Sequence, residues 1–279
     1  MKVLWIADFG LQHNIGGAQR TDSFVIQEGI NRGHEIVFLN YDTPSDVLND
    51  TYDLVVTGNL ETISQRRPDV FQYLLNHPNH VRFEHDSNSY LSQDARKALF
   101  NSTKKTIFLS EFHHQTFVQL YGNIFKNVEI VRPFIDSKVF YDFQQEREEK
   151  TLYVGFFHFL KGTVKFLDFV INNPDKKFIV AGWGNKGFED HIKYLHNVEY
   201  IGKVDHGEMP KLFNKYKTMY YHPEKFEPFC RSVGEAIMCG MQLDVSDNIG
   251  AFHDLQKYGI EELRQMCSDS PKIWWNKVE

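Results

Sequence analysis

The chain has few cysteines, no long apolar run and no excess of positive charge. Cys230, Cys239 and Cys267 cannot all pair and show no CxxC spacing, so neither a disulfide framework nor a zinc site is expected. Lys+Arg number 31 against Asp+Glu 37, a net charge of -6, so no general positive field is available to hold a polyanion. Nucleic acid is therefore not expected as a partner. The first apolar run, Val3 to Ala7, ends at Asp8 and is too short for a signal-peptide core or a membrane span, which leads to the expectation of a cytoplasmic protein. Repeats of 20 to 50 residues, an Asp-x-Asp motif and a GxGxxG fingerprint are all missing. What is present is an ordinary globular composition, 42% hydrophobic and 15% aromatic, which excludes a mostly disordered chain. At 279 residues the length suits two domains or one large one.

Short β-branched or aromatic runs alternate with longer amphipathic stretches. KVLWIA is followed by Gln19 to Arg32, then by EIVFLN, DLVVTG, HVRFEH, TIFLS and VEIVRP. That order predicts parallel strands joined by crossover helices. A second series repeats the grammar: TLYVG, Val164 to Asn172, KFIVAG, VEYIG, Met209 to Tyr216, TMYYH, Arg231 to Met238 and QLDVS. Between the two lies Gln144 to Lys150, without an apolar residue, which reads as a solvated linker. The expected organisation is an N-terminal domain over 1–145, a C-terminal domain over 146–260 and closing helices over 261–279 that carry Trp274 and Trp275. Ligands of such sheets bind beyond the carboxyl ends of the strands, so chemistry is expected in those loops, in a cleft between the domains.

Three loops carry candidates. In DFGLQHNIGGAQ the pair Gly16 and Gly17 stands at a helix entrance, where backbone amides can approach an anion or simply make a turn. In RFEHDS, His85 and Asp86 end a strand; they can bond a polar substrate or move a proton, or Asp86 can cap a helix that begins near Tyr90. In EPFCRSVGEAIMCG a helix is expected from about Phe229 to Gly240, with Glu227 in the preceding loop and Glu235 about two turns inside. Two such carboxylates can accept from the hydroxyls of a sugar-like ligand, and the amides of the helix start can meet phosphates.

The block EPFCRSVGEAIMCG resembles the Glu, seven residues, Glu signature of retaining GT-B glycosyltransferases, above all glycosyltransferase family 4. Further segments match in order: GGAQ is similar to that family's nucleotide-sugar loop, LSEFHHQTF and VRPFIDSKVF to its interdomain segment, and LYVGFFHFLKG to its diphosphate clamp. FIVAGWG and VEYIGKVDHGEMPKLFNKYKTMYYHPEKFEP are similar to its run of strands leading to the first Glu. The resemblance covers residues 1 to about 255. It implies a GT-B fold, two Rossmann-like doubly wound α/β domains, and sugar transfer with retention from a nucleoside diphosphate sugar to a hydroxyl on a glycan, lipid or small molecule. Neither metal nor other cofactor is implied, and contact with a membrane is at most peripheral.

Carried over, Glu227 contacts the donor sugar and Glu235 the ribose. Lys161 and the amides near Gly16, Gly17 and Phe229 hold the diphosphate, and His85 serves the acceptor side near the reacting carbon. The chain departs from the pattern at Phe156, where the clamp has Arg, and at Cys230, where Gly is usual. Arg231 is the leading replacement for that missing arginine, with His158 second and an ion pair from Arg231 to Glu227 or Glu235 as the alternative. A sugar phosphorylase, an epimerase and an inactive nucleotide-binding or glycan-binding relative stay open beside the transferase.

Overall fold

The computed structural model describes residues 1–10, 16–87 and 91–279. Part of the first candidate loop (11–15) and the expected helix start at Tyr90 lie outside the described residues. The chain forms two compact units, Met1–Phe134 together with Met266–Glu279, and Ile135–Gln265.

Unit 1 runs β1 (Lys2–Ile6), α1 (Gly17–Asn31), β2 (Glu35–Leu39), β3 (Leu54–Thr57), α2 (Glu61–Arg66), α3 (Pro68–Asn76), β4 (His80–Phe83), α4 (Gln93–Ser102), β5 (Lys105–Phe108), α5 (Glu111–Tyr121) and β6 (Val128–Ile130). The strands make one parallel sheet in the order β2-β1-β3-β4-β5-β6. Its central strands β1, β3 and β4 are almost wholly buried. They read as continuous apolar runs because helices cover both faces of a parallel sheet. α4 begins at Gln93 with Ser92 as its cap, the hydroxyl accepting from Ala95 N at 3.3 Å, so Asp86 is not the cap.

Unit 2 runs β7 (Glu148–Phe157), α6 (Thr163–Ile171), β8 (Phe178–Gly184), α7 (Lys186–Ile192), β9 (Val198–Gly202), α8 (Met209–Lys215), β10 (Tyr216–Tyr221), α9 (Arg231–Met238) and β11 (Gln242–Val245). Its parallel sheet has the order β11-β10-β7-β8-β9. Glu148, Glu149 and Lys150, at the end of the charged stretch, belong to β7. Strand order reverses between β7 and β10. Right-handed crossovers then put α6 and α7 on one face of the sheet and α8 and α9 on the other. Stacking of Tyr153 on Phe166 (4.5 Å) and the contact of Phe157 with Phe188 (4.8 Å) show the α6/α7 face.

The chain returns to unit 1 through α10 (Gly250–Ser268), kinked at Gly259, and α11 (Ser270–Val278). Trp274 packs on Trp5 and Phe83, and Trp275 Nε1 donates to the Val25 carbonyl at 2.7 Å. α1 has Gly29 at this crossing, since a Cβ there would stand 2.2 Å from the Trp275 ring.

Two histidines in unit 1 are buried away from water. His80 bonds Thr57 Oγ1 at 2.8 Å, and His113 donates from Nε2 to the Asp86 carbonyl at 3.0 Å. Burial pushes both imidazoles down from 6.5 to about 3. Below pH 6.5 the unfolded chain takes up protons that the folded chain refuses. Stability is therefore full above that pH and falls as pH drops toward 3, by about 1.4 kcal/mol per pH unit for each histidine. Urea melts across this window should show the slope, and His113→Gln should flatten it, whatever it does to stability at neutral pH.

Candidate functional site

The most developed polar cluster of unit 2 lies where strand order reverses. The turn after β7, Phe159–Lys161, ends at Gly162 with φ +81°, and a Cβ at that residue would lie 2.1 Å from the His222 carbonyl oxygen. Only glycine lets this turn lie against the end of β10. Tyr153 OH donates to the Lys161 carbonyl at 2.9 Å and fixes the turn from below. Lys161 Nζ thereby reaches Glu227 Oε1 at 2.7 Å, and Tyr221 OH donates to the same oxygen at 2.9 Å. Glu227 is held in turn by its backbone, which exchanges hydrogen bonds with Asn248 and Gly250. Desolvation, with the Glu227 charge beside it, drives the Tyr221 phenol well above its usual range, so it stays a donor.

α9 opens at Arg231, two residues later than expected, so the helix-start amides are those of its first turn rather than that of Phe229. The Phe229 side chain is buried against Gly234, and its carbonyl accepts from Ala251 N at 2.8 Å. Cys230, before the helix, holds φ +69° without a side-chain cap, a backbone strain tolerated at the turn that aims α9. Glu235 is 4% exposed and accepts from His206 Nε2 at 2.9 Å and Arg231 Nη2 at 3.3 Å. Such partners offset the cost of taking a carboxylate out of water. For Arg231 the structure thus gives the ion pair with Glu235. Phe156 is exposed at the end of β7, and His158 Nδ1 accepts from Leu160 N at 3.3 Å, which makes it the cap of its own turn.

In unit 1, Gly16 and Gly17 are exposed at the start of α1, where Gly16 forms the N-cap with extended backbone. His85 Nε2 bonds Asp22 Oδ1 at 2.9 Å, and both side chains are buried. Beside them Arg82 donates to both Glu84 oxygens, at 3.0 and 2.9 Å, and to the Gly58 carbonyl. Glu84 also accepts from the amides of His85 and Asp86, each at 3.1 Å. Burial and the neighbouring Glu84 charge push the Asp86 carboxyl up.

The structure brings Lys161 together with Glu227, and Arg231 with Glu235. It adds Tyr221, His206 and Asp22, which sequence reasoning missed. Asp22 had a signal: it shares the buried stripe of α1 with Val25, Ile26 and Gly29. His206 had none, since its partner comes from another connection. Among the described residues no group of three or more His, Cys, Asp or Glu is arranged to hold a metal ion, and no helix is long and apolar enough to cross a membrane.

Residues 138–260 match the family described as glycosyl transferases group 1. No curated protein matches the sequence significantly. Among solved structures, sucrose-phosphate synthase from Thermosynechococcus elongatus superposes with a TM-score of 0.71 at 11% identity, over 99% of this chain and 96% of that one. Anabaena HepE, solved with UDP and glucose, gives 0.66 at 15% identity, over 100% and 92%. An alpha-glucosyltransferase in complex with UDP-glucose and DNA containing an abasic site gives 0.62 at 13%, over 100% and 99%. The two parallel-sheet α/β units have the GT-B architecture.

The thiols of this region are inert by environment. Burial, with Glu227 near one and Glu235 near the other, pushes Cys230 and Cys239 up to about 12, leaving almost no thiolate near neutrality. Iodoacetamide at mildly alkaline pH should label neither residue in the folded protein and both after denaturation, as read by mass spectrometry. Rapid labelling of native Cys230 would contradict this account.

Proposed function

We propose that the protein is a retaining glycosyltransferase, of the family 4 kind, that moves a sugar from a nucleoside diphosphate sugar to an acceptor hydroxyl. The observation that carries this reading is the pair of differently furnished carboxylates in unit 2. Glu227, with Lys161 and Tyr221 on one oxygen, suits the sugar and the adjoining phosphate. Glu235, buried and held by His206 and Arg231, suits a diol such as the ribose hydroxyls. The match to glycosyl transferases group 1 spans both, and the UDP carried by the HepE structure supports a nucleoside diphosphate donor.

In this reading the glycosidic bond to the diphosphate breaks while the acceptor oxygen bonds the anomeric carbon on the same face. The acceptor proton passes to the departing phosphate oxygen. Charge gathers on that diphosphate, where Lys161 and the first amides of α9 stabilise it, joined by Arg231, whose guanidinium has donors beyond the one it gives Glu235. Lys161 is held by Glu227 until a phosphate competes for it, so donor binding and release of Glu227 toward the sugar are coupled. Gly16 and Gly17 are assigned to the phosphates and His85, oriented by Asp22, to the acceptor. A glycan, lipid or small molecule is the acceptor, because the acidic net charge opposes a polyanion. No metal is needed, since protein cations and amides meet the leaving group, and the reaction is placed in the cytoplasm.

Release of nucleoside diphosphate from a panel of nucleotide sugars tests the reading. Glu235→Gln should weaken nucleoside diphosphate binding about tenfold with a smaller effect on turnover, whereas Glu227→Gln should lower kcat about tenfold or more at nearly unchanged affinity. Equal small effects from both would remove the assignment, and binding without turnover in the wild type would favour an inactive relative.

Dialysis against a chelator should leave the rate of release unchanged. A loss restored by a divalent cation would bring a metal into the mechanism.

A further inference from the structure

Unit 2 exposes two large aromatic rings side by side. Phe156 and Trp183 are paired residues of β7 and β8, 49% and 47% exposed, with centroids 6.0 Å apart and planes at 72°. Neighbouring strand aromatics such as Tyr153 and Phe157 are buried on the α6/α7 face. Side chains alternate along a strand, so Phe156 and its partner Trp183 project from the opposite face, the one that carries α8 and α9. Gly155, Gly182 and Gly184 bracket the rings at φ +148°, +140° and +145°, backbone that other residues reach only with strain. Lys203, on the connection after β9, stands with Nζ 4.8 Å from the Trp183 ring centroid. Two contiguous rings and a cation at the carboxyl ends of strands are the makings of a ligand surface.

The order of the sheet says which part of a ligand lies there. From β10 outward the groups are Glu227 after β10, Lys161 after β7, Trp183 in β8 and Lys203 after β9, with neighbouring strands about 4.8 Å apart. On the donor reading above, on which this inference rests, the sugar lies at Glu227 and the diphosphate at Lys161. The nucleoside then extends toward β8 and β9. His206, which holds the ribose carboxylate Glu235, is three residues beyond Lys203 on the same connection, so the base seat borders the ribose seat. A nucleobase is a flat ring that stacks on aromatic side chains, and a lysine ammonium donates but cannot accept.

We propose that Phe156, Trp183 and Lys203 form the seat of the donor's base, and that Lys203 favours a base whose edge carries carbonyl oxygens. Phe156 thus serves the base rather than the phosphates, which accounts for a ring at a position where the resemblance expects a guanidinium.

Trp183 supplies its own reporter, because the other three tryptophans, Trp5, Trp274 and Trp275, are buried in unit 1. Titration with uridine diphosphate should quench its fluorescence, whereas ribose 5-diphosphate, which lacks the base, should not. Calorimetry should show Trp183→Ala weakening uridine diphosphate about tenfold and ribose 5-diphosphate less than twofold, with Trp183→Phe restoring most of the loss. Lys203→Met should cost uridine diphosphate more affinity than adenosine diphosphate, and circular dichroism confirms that each variant folds. If Trp183→Ala does not fold, Trp183→Phe and Lys203→Met decide the matter through the same titrations. Equal losses for the two diphosphates, or quenching by a free monosaccharide instead, would overturn the base seat while leaving the donor reading intact. If the wild type binds no nucleoside diphosphate, the donor reading fails and this inference falls with it.

Discussion

A side chain at residue 162 would put its Cβ 2.1 Å from the His222 carbonyl, so the turn after β7 lies against the end of β10 only because that residue is glycine. Sheet topology places those two strand ends beside each other where the strand order reverses, and the glycine lets the loops close the remaining distance. Lys161 and Glu227, 66 residues apart in sequence, meet at 2.7 Å as a direct result. The rest of the cluster follows from that approach: Tyr221 reaches Glu227 from the last residue of β10, and α9 starts just beyond.

Three buried carboxylates are paired with arginine or histidine. Glu235 has His206 and Arg231, Glu84 has Arg82, and Asp22 has His85. Burying a carboxylate without partners costs several kcal/mol, so each pair offsets the desolvation of the carboxylate where it stands. The same pairing holds the oxygen atoms in place. A ligand then meets groups already oriented, which is how fixed dipoles and charges act most strongly on a developing charge.

Two departures from the usual glycosyltransferase pattern have different physical consequences. Cys230 keeps the positive φ that glycine would take there without strain, and desolvation with Glu227 nearby keeps its thiol protonated near neutrality. Phe156 stands where the resemblance has an arginine and finds an aromatic neighbour in Trp183.

The sequence by itself determined the alternation of strands and helices and the end of α9 before Gly240, because both are written in local periodicity and in that helix-ending glycine, which holds φ +74°; it put the start of α9 two residues early. It also marked Glu227 and Glu235 through their place around one helix start, and Lys161 through the family resemblance. Tertiary structure alone decided who meets whom. His206 reaches Glu235 across 29 residues, Asp22 reaches His85 across 63, and Phe156 meets Trp183 through strand register. It also returned Trp274 and Trp275 to unit 1, where Trp5 and the bare surface at Gly29 receive them. None of these contacts leaves a period or a spacing in the chain, since each depends on strand order and on the side of the sheet to which a crossover carries its helix.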